Sequence, residues 1–272
     1  MTRIRPAAVA GTFYSNQTAI LHKDVQKFLR EAGLHSEREA SSWPKALIVP
    51  HAGYVYSGII AASAYKLLAT GRGKIRRVVI LGPAHRVPFR GIALPGVDAF
   101  QTPLGALPVD RTGVGAIKHL PQVLELPIPH AQEHALEVQL PFLQEVLGQV
   151  FILPLVVGKA SPREVAEVLD ALWDGPETVI LISSDLSHYH PYAEARNIDN
   201  ATVQQILRLD TTPIHHDQAC GATPINGLLQ AAQRHHLWPR LLDLRNSGDT
   251  AGSRDAVVGY AAFAFFTEPT TS

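Results

Sequence analysis

Three histidines of this 272-residue chain come directly after short apolar runs. His51 follows Ala-Leu-Ile-Val-Pro, His85 follows Val-Val-Ile-Leu-Gly-Pro-Ala, and His188 follows Val-Ile-Leu-Ile-Ser-Ser-Asp-Leu-Ser. If these runs are strands of an open α/β sheet, the residues behind them meet at its carboxyl edge, where ligands bind. One such histidine alone is more often a hydrogen-bonded core or surface residue. Three of them at one edge predict a shared site, and neutral imidazole commonly ligates iron, copper and zinc.

Cys220 is the single cysteine of the chain, so no internal disulfide can form. It stands before Gly-Ala-Thr-Pro, in which Thr223 is predicted to cap a helix and Pro224 to be its first residue. A thiol at that helix end would have a lowered pKa and could supply a thiolate ligand. The alternative role of an isolated cysteine is that of a small buried hydrophobic residue.

The elements that would position these residues follow from apolar runs and helical periodicity. Strands are predicted at 46–49, 77–82, 151–157, 178–183, 241–245 and 257–266, and helices at 57–68, 133–147 and 161–173. Alternation of strands and helices predicts an α/β fold, a single domain with a central mixed, largely parallel sheet flanked by helices. Pro154 indicates a bulge or an edge position. The segment 91–108 is expected to be an ordered irregular excursion, 35–43 a flexible loop and 268–272 a frayed tail.

Composition excludes several classes of protein. Lys plus Arg and Asp plus Glu number 24 each, and this balance gives no electrostatic support for a nucleic-acid or membrane partner. Apolar residues make up 46%, enough for a sizeable core, but no run is long enough to span a bilayer. The N-terminus has no signal-peptide core, and the expected location is therefore the cytoplasm. Neither nucleotide-binding glycine motif is present.

Motifs spread over the whole chain resemble those of the Memo family. They comprise Arg5-Pro6-Ala7, Ala10–Tyr14, Pro50–Tyr54 with Ser57-Gly58, Leu81–His85, Glu133-His134 to Phe142, Ser183–His188, Cys220-Gly221 before Pro224-Ile225, Ser247–Asp249 and Val258–Tyr260. That family is similar to the catalytic subunits of class III extradiol dioxygenases, which use non-haem iron to open catechol rings. The resemblance therefore implies a chain-wide α/β domain over 1–272 that binds a metal.

The resemblance also implies roles for individual residues. It makes His51, His85 and Cys220 the metal ligands, and Asp185 and His188 either hydrogen-bond partners of the ligands or acid/base residues. His188, oriented by Asp185, would take or return a proton. The implied metal is iron or copper, with zinc as the lesser alternative. The dioxygenases use two histidines and a carboxylate, whereas a cysteine replaces the carboxylate here.

Two functions from different classes remain open on this basis. The first is an iron- or copper-dependent oxidoreductase acting on a small molecule with oxygen. The second is a non-catalytic module that binds a peptide or a partner protein in the same pocket, since family members are linked to phosphopeptide recognition and to radical-enzyme partners. A third, metal-assisted hydrolysis, would need zinc and a general base such as His134 or Asp185.

Further candidates have structural explanations of equal weight. Glu133, His134 and Glu137 cluster at a predicted helix start, where acidic side chains are favoured by the helix dipole, but His134 could act as a catalytic proton shuttle. Tyr14 and Tyr54 could stack on an aromatic substrate or pack in the core or rim. The histidine pairs at 215–216 and 235–236 are expected to face water.

Overall fold

The computed structural model describes residues 2–33 and 43–267. Within them the strands are β1 (Ile4–Arg5), β2 (Ala46–Val49), β3 (Arg77–Pro83), β4 (Ile92–Leu94), β5 (Ala99–Thr102), β6 (Gly105–Pro108), β7 (Val123–Glu125), β8 (Phe151–Val157), β9 (Thr178–Ser183), β10 (His188–His190), β11 (Leu237–Asn246) and β12 (Val257–Thr267). The helices are α1 (Thr18–Glu31), α2 (Tyr54–Tyr65), α3 (Arg111–Ile117), α4 (Ile128–Ala131), α5 (His134–Glu137), α6 (Leu140–Leu147), α7 (Pro162–Ala171), α8 (Tyr192–Leu207) and α9 (Ala222–Arg234).

Four parallel strands form the centre of the main sheet, in the order β2, β9, β3, β8. Antiparallel strands flank them, with β12 beside β2 and β4 beside β8. The predicted α/β domain with a central mixed sheet is confirmed. Because the four central strands run in the same direction, the residues that follow them lie along one edge of the sheet.

The central strands are buried on both faces, as their continuous apolar sequence predicts. In β2, Leu47 and Val49 belong to the core shared with α2 and α6, whereas Ala46 and Ile48 belong to the core shared with α7 and α9. The alternation follows from the two-residue period of a strand. Helix layers therefore cover both faces and hold the strand ends in a fixed register.

Two predicted segments differ from the structure. The helix expected over 133–147 is divided into α5 and α6, and Pro141, which has no N–H to donate, lies in the first turn of α6. The excursion expected over 91–108 contains β4, β5 and β6, and β5 pairs with both β1 and β6 in a small separate sheet. The three strands within 91–108 are three or four residues long, too short to show a clear alternation of apolar and polar residues.

At Pro154 one side of β8 is not paired with β4, so the proline has the local edge position that the sequence predicted as one alternative. On one side Pro154 is aligned with Ile80 of β3, but on the other side β4 pairs only with Val156 and Val157. The proline therefore does not interrupt a ladder on its outer side. Of the predicted loop 35–43 only Trp43 lies within the described residues, and the predicted tail 268–272 lies outside them. None of the helices in the described part has the length and apolar character needed to cross a bilayer.

Candidate metal centre

Three histidine side chains meet at the carboxyl edge of the sheet. His51 and His85 each come two residues after a parallel strand, β2 and β3, and His134 is the first residue of α5. One ring nitrogen from each lies within 4.8 Å of those of the other two, so the group could hold a metal ion. The ring centroids are 5.1 Å apart for His51 and His85 and 4.6 Å apart for His85 and His134.

Hydrogen bonds fix which nitrogen of His51 is free. The Ser183 hydroxyl donates to the carbonyl of Ala135 at 2.6 Å and accepts from Nε2 of Gln139 at 2.8 Å. Its only proton is therefore in use, so Nδ1 of His51, 2.9 Å away, must be the donor. Nε2 of His51 then carries the lone pair that a metal needs. Burial, together with the nearby His85, lowers the His51 pKa to about 3 and keeps the ring neutral.

Glu133 orients His85 in the same way. Its carboxylate accepts hydrogen bonds from Nδ1 of His85 at 2.8 Å and from the backbone N–H of the same residue at 2.7 Å. Burial alone would raise the Glu133 pKa, but these hydrogen bonds and the nearness of the His85 ring outweigh burial and lower it. An ionised carboxylate accepts only, so Nδ1 of His85 carries the proton and Nε2 is free to bind a metal.

His134 has a buried ring nitrogen without a partner. Its Nδ1 lies 3.3 Å from Oε1 of Glu133 but forms no hydrogen bond with a described residue. Burial, followed by the competition of the nearby His51 for a proton, lowers the His134 pKa to about 4. An unsatisfied buried nitrogen is costly unless a further group, such as a metal or a ligand, occupies the site.

Cys220 lies beside His51, outside the three-histidine group. Its Sγ is 3.3 Å from Nε2 of His51, a separation typical of two ligands of one ion. The expected lowered pKa is wrong for the metal-free site, because burial and then the Asp185 charge raise the thiol pKa to about 12. The helix also begins earlier than predicted, at Ala222, with Gly221 as its cap in place of Thr223.

The backbone beside Cys220 packs against β9. Gly221 donates its N–H to Oγ of Ser184 at 2.9 Å, and a β-carbon at this glycine would lie 2.6 Å from Cβ of Ser184. Only glycine allows this approach, which brings the cysteine next to the end of β9.

The pH dependence of metal affinity would distinguish Cys220 from His134 as the third ligand. Since the Cys220 thiol is protonated in the empty site while His51 and His134 are neutral, binding through sulfur releases one proton and binding through three imidazoles releases none. We expect the logarithm of the association constant to rise with a slope of about one from neutral pH to about pH 9, measured by chelator competition. In Cys220→Ser the slope should disappear, and a slope near zero in the unmutated protein would assign the third position to His134.

Asp185 and His188 lie beside the histidine group. Asp185 is buried, and its Oδ1 accepts the backbone N–H of His51 at 2.7 Å, which fixes the turn before α2. Burial raises the Asp185 pKa. The expectation that Asp185 orients His188 is wrong in detail, because Nδ1 of His188 donates to the carbonyl of Leu186 at 2.8 Å. This bond leaves Nε2 of His188 as the basic nitrogen.

The two tyrosines considered for substrate stacking have core positions. Tyr14 and Tyr54 are 5% and 7% exposed, and their hydroxyls donate to Glu137 and to the carbonyl of Val138. Their rings pack against each other, with centroids 5.6 Å apart. The packing role that the sequence left open is therefore the one the contacts support.

An open cavity of about 580 Å³ leads to this group. His85 and Cys220 line it, together with the apolar residues Pro88 and Phe89 and the polar residues Lys159, His216 and Thr223. His216 is exposed, as expected, and it also forms part of the wall of this open cavity. The position of Lys159 could have been recognised from the sequence, because it comes two residues after β8 just as His51 and His85 follow their strands.

The donor set fits a metal ion. The imidazoles of His51 and His85 present defined lone pairs, and that of His134 has an unsatisfied buried nitrogen. The Cys220 thiol lies 3.3 Å from Nε2 of His51. Neutral histidines and a cysteine suit iron, copper or zinc. Fold and site together define an α/β protein in which a group of three histidines at one edge of the sheet could hold a metal ion.

Comparison with known proteins identifies the family. Residues 5–264 match the family model described as Memo-like protein, and the chain belongs to the Memo family. A MEMO1 family protein of Metallosphaera sedula is 36% identical over 280 residues, covering 96% of this chain and 99% of that one. A MEMO1 family protein of Aquifex aeolicus is 35% identical, covering 97% and 99%.

A solved structure shows the same fold at low sequence identity. It is described as the crystal structure of uncharacterized protein JW3007 from Escherichia coli K12. The TM-score is 0.51 at 12% identity, and the match covers 80% of this chain and 98% of that chain. At this identity the similarity concerns the fold alone.

Proposed function

We propose that this protein is an iron- or copper-dependent oxidoreductase that acts on a small molecule in the cavity above the histidine group. His51, His85 and Cys220 would hold the ion, with His134 within reach as a further donor or as a substrate contact. The observation that carries the proposal is the convergence of His51, His85 and His134, with the Cys220 sulfur 3.3 Å from Nε2 of His51. Ser183 and Glu133 occupy the Nδ1 atoms of His51 and His85 and leave their Nε2 atoms for a metal. The single cysteine accords with action in the cytoplasm.

A bound iron or copper ion would supply redox chemistry and open positions for substrate and oxygen atoms. The protein side chains supply the proton chemistry. Nε2 of His188 is basic because Nδ1 donates its proton to Leu186, so it can accept a proton from a substrate hydroxyl or thiol and later return it. Asp185 keeps the turn that carries His51 in place through its bond to the backbone.

Oxygen uptake tests this function. Protein loaded anaerobically with iron(II) or copper(I) is mixed with oxygen and ascorbate as electron donor, and uptake is compared with that of the same concentration of free ion. We expect faster uptake with the protein and a loss of about 100-fold or more in His188→Ala, the usual contribution of an acid/base group. His190→Ala is the control, since its ring pairs with Glu194 at the surface.

Uptake no faster than that of the free ion in the unmutated protein would reject the oxidoreductase. If a peptide were then found to bind equally well to Cys220→Ser, the non-catalytic binding module would be the better description. A bound metal that supports hydrolysis without oxygen uptake would favour the third function.

A further inference from the structure

A fourth residue follows the central strands in the same pattern as the metal-site residues. His51, His85 and Asp185 stand two residues after β2, β3 and β9, and Lys159 stands two residues after β8. Pro83, the last residue of β3, is aligned with Val157, the last residue of β8. The ends of these two strands are therefore level, which places Lys159 in the wall of the cavity that contains His85.

The backbone of Lys159 is held firmly. Its N–H donates to the carbonyl of Phe89 at 2.8 Å, and its carbonyl accepts the N–H of Gly91 at 3.0 Å. Gly158 packs so closely on the Phe89 carbonyl that a side chain would collide with it. These contacts fix the lysine and the Phe89 ring on the same wall.

Lys159 brings an ammonium group to the wall of the cavity. No ion pair or side-chain hydrogen bond involves its ammonium group among the described residues. No carboxylate is among the residues that line the cavity. On the wall near α9, the two ring nitrogens of His216 lie 3.3 Å from the Cys220 carbonyl and 3.4 Å from the Thr223 hydroxyl, so both have partners within the wall.

The rest of that wall is apolar. Pro83, Pro88, Phe89 and Val157 line it beside the lysine. A ligand that matches this surface has an apolar body and one anionic group. The ammonium group of a lysine binds a carboxylate as a point charge and does not need the bidentate geometry that an arginine uses.

We propose that Lys159 is a specificity residue that recognises the carboxylate of a small, otherwise apolar substrate whose body lies against Phe89. This inference rests on the proposed function only in taking the cavity as the substrate pocket. The charge match does not depend on which metal is bound or on whether oxygen reacts.

A matched pair of probes tests the charge recognition. Binding of 4-fluorobenzoate and of the neutral 4-fluorobenzamide to the full chain is measured by ¹⁹F NMR, once with redox-inert Zn²⁺ bound and once after chelation. We expect the carboxylate to bind about fivefold more tightly than the amide at low salt, the value of one partly exposed ion pair, with the preference declining as salt rises. Lys159→Met should abolish the preference and Lys159→Arg should keep most of it.

Lys74→Met provides the control. Lys74 is also an exposed lysine, but it precedes β3 and so lies at the opposite edge of the sheet, over the Trp43 ring. Its loss removes the same charge from the chain and should leave both affinities unchanged.

The proposal is overturned if Lys159→Met retains the preference, if the unmutated protein binds both probes equally or neither at millimolar concentration, or if the preference exists only with Zn²⁺ bound. The last result would mean that the carboxylate binds the ion itself. Absence of oxygen uptake together with a lysine-dependent preference would reject the redox function and leave this inference standing.

Discussion

Replacing His51 with alanine is expected to abolish stoichiometric binding of iron or copper. His51 belongs to the three-histidine group and also lies 3.3 Å from the Cys220 sulfur, so it takes part in every donor set that the site offers. Its loss removes a neutral, buried ligand whose free nitrogen is already set by Ser183. We expect affinity to fall by more than the roughly 10- to 100-fold that follows loss of a partner behind a ligand.

Two further variants grade this effect. Ser183→Ala keeps the ligand but removes its orienting acceptor, so affinity should fall within that roughly 10- to 100-fold range. Ser63→Ala is the matched control, because Ser63 is also buried but its hydroxyl donates to the carbonyl of Ile60 within α2. Metal content after dialysis gives the stoichiometry, and chelator competition gives the affinities.

Stoichiometric metal that survives in His51→Ala with unchanged affinity would contradict the proposed centre. A loss in Ser63→Ala as large as that in Ser183→Ala would show that general destabilisation, rather than ligand orientation, is being measured. Thermal unfolding of each metal-free variant separates the two effects.

The site residues that follow the central strands could be predicted because they depend on a local sequence pattern. Short apolar runs followed by Pro, Gly and His indicate buried parallel strands, and parallel strands bring the residues behind them to one edge. His51, His85 and His188 were identified in this way, whereas the resemblance to the Memo family pointed to Asp185. Lys159 satisfies the same pattern, but an isolated lysine near a strand end is usually solvated, and only the shape of the cavity distinguishes it.

The parts that could not be predicted depend on contacts between distant segments. The position of His134 reflects the break between α5 and α6 and its packing on the Phe13 ring, whose centroid is 4.6 Å away. The thiol pKa depends on burial. A helix end contributes only about 0.3–1 kcal/mol, which would lower a pKa by less than about one. Burial of Cys220 against β9 outweighs it, and sequence spacing does not reveal that burial.

The N-terminal segment holds the part of the site that carries His134. Arg5 donates to the carbonyls of His130 and Glu133 at 2.6 and 2.9 Å, and its Nη1 lies 2.6 Å from the Glu137 carboxylate. Glu137 also accepts the N–H groups of Ala8 and Val9 and the hydroxyl of Tyr14. A fully buried carboxylate with four donors therefore joins the start of the chain to α5.

Changing Glu137 to glutamine should lower the free energy of unfolding by about 3–5 kcal/mol, the cost of breaking a buried ion pair. The side chains of Arg5 and Glu137 are 4% and 0% exposed, so water cannot replace the lost charge. The side-chain NH₂ group of the glutamine would also place two donors opposite groups that are themselves donors. Urea unfolding of the metal-free protein gives the value.

Glu167→Gln is the control for this change. Glu167 pairs with Arg163 at 2.9 Å, but the two side chains are 43% and 84% exposed, so we expect a cost below about 1 kcal/mol. Equal costs for the two variants would contradict the structural role of the buried pair. Because Glu137 lies one helical turn from His134, its variant should also bind metal more weakly, whereas Glu167→Gln should not. Stability and metal affinity would then fall together in the one variant, as expected if the N-terminal segment is part of what assembles the site.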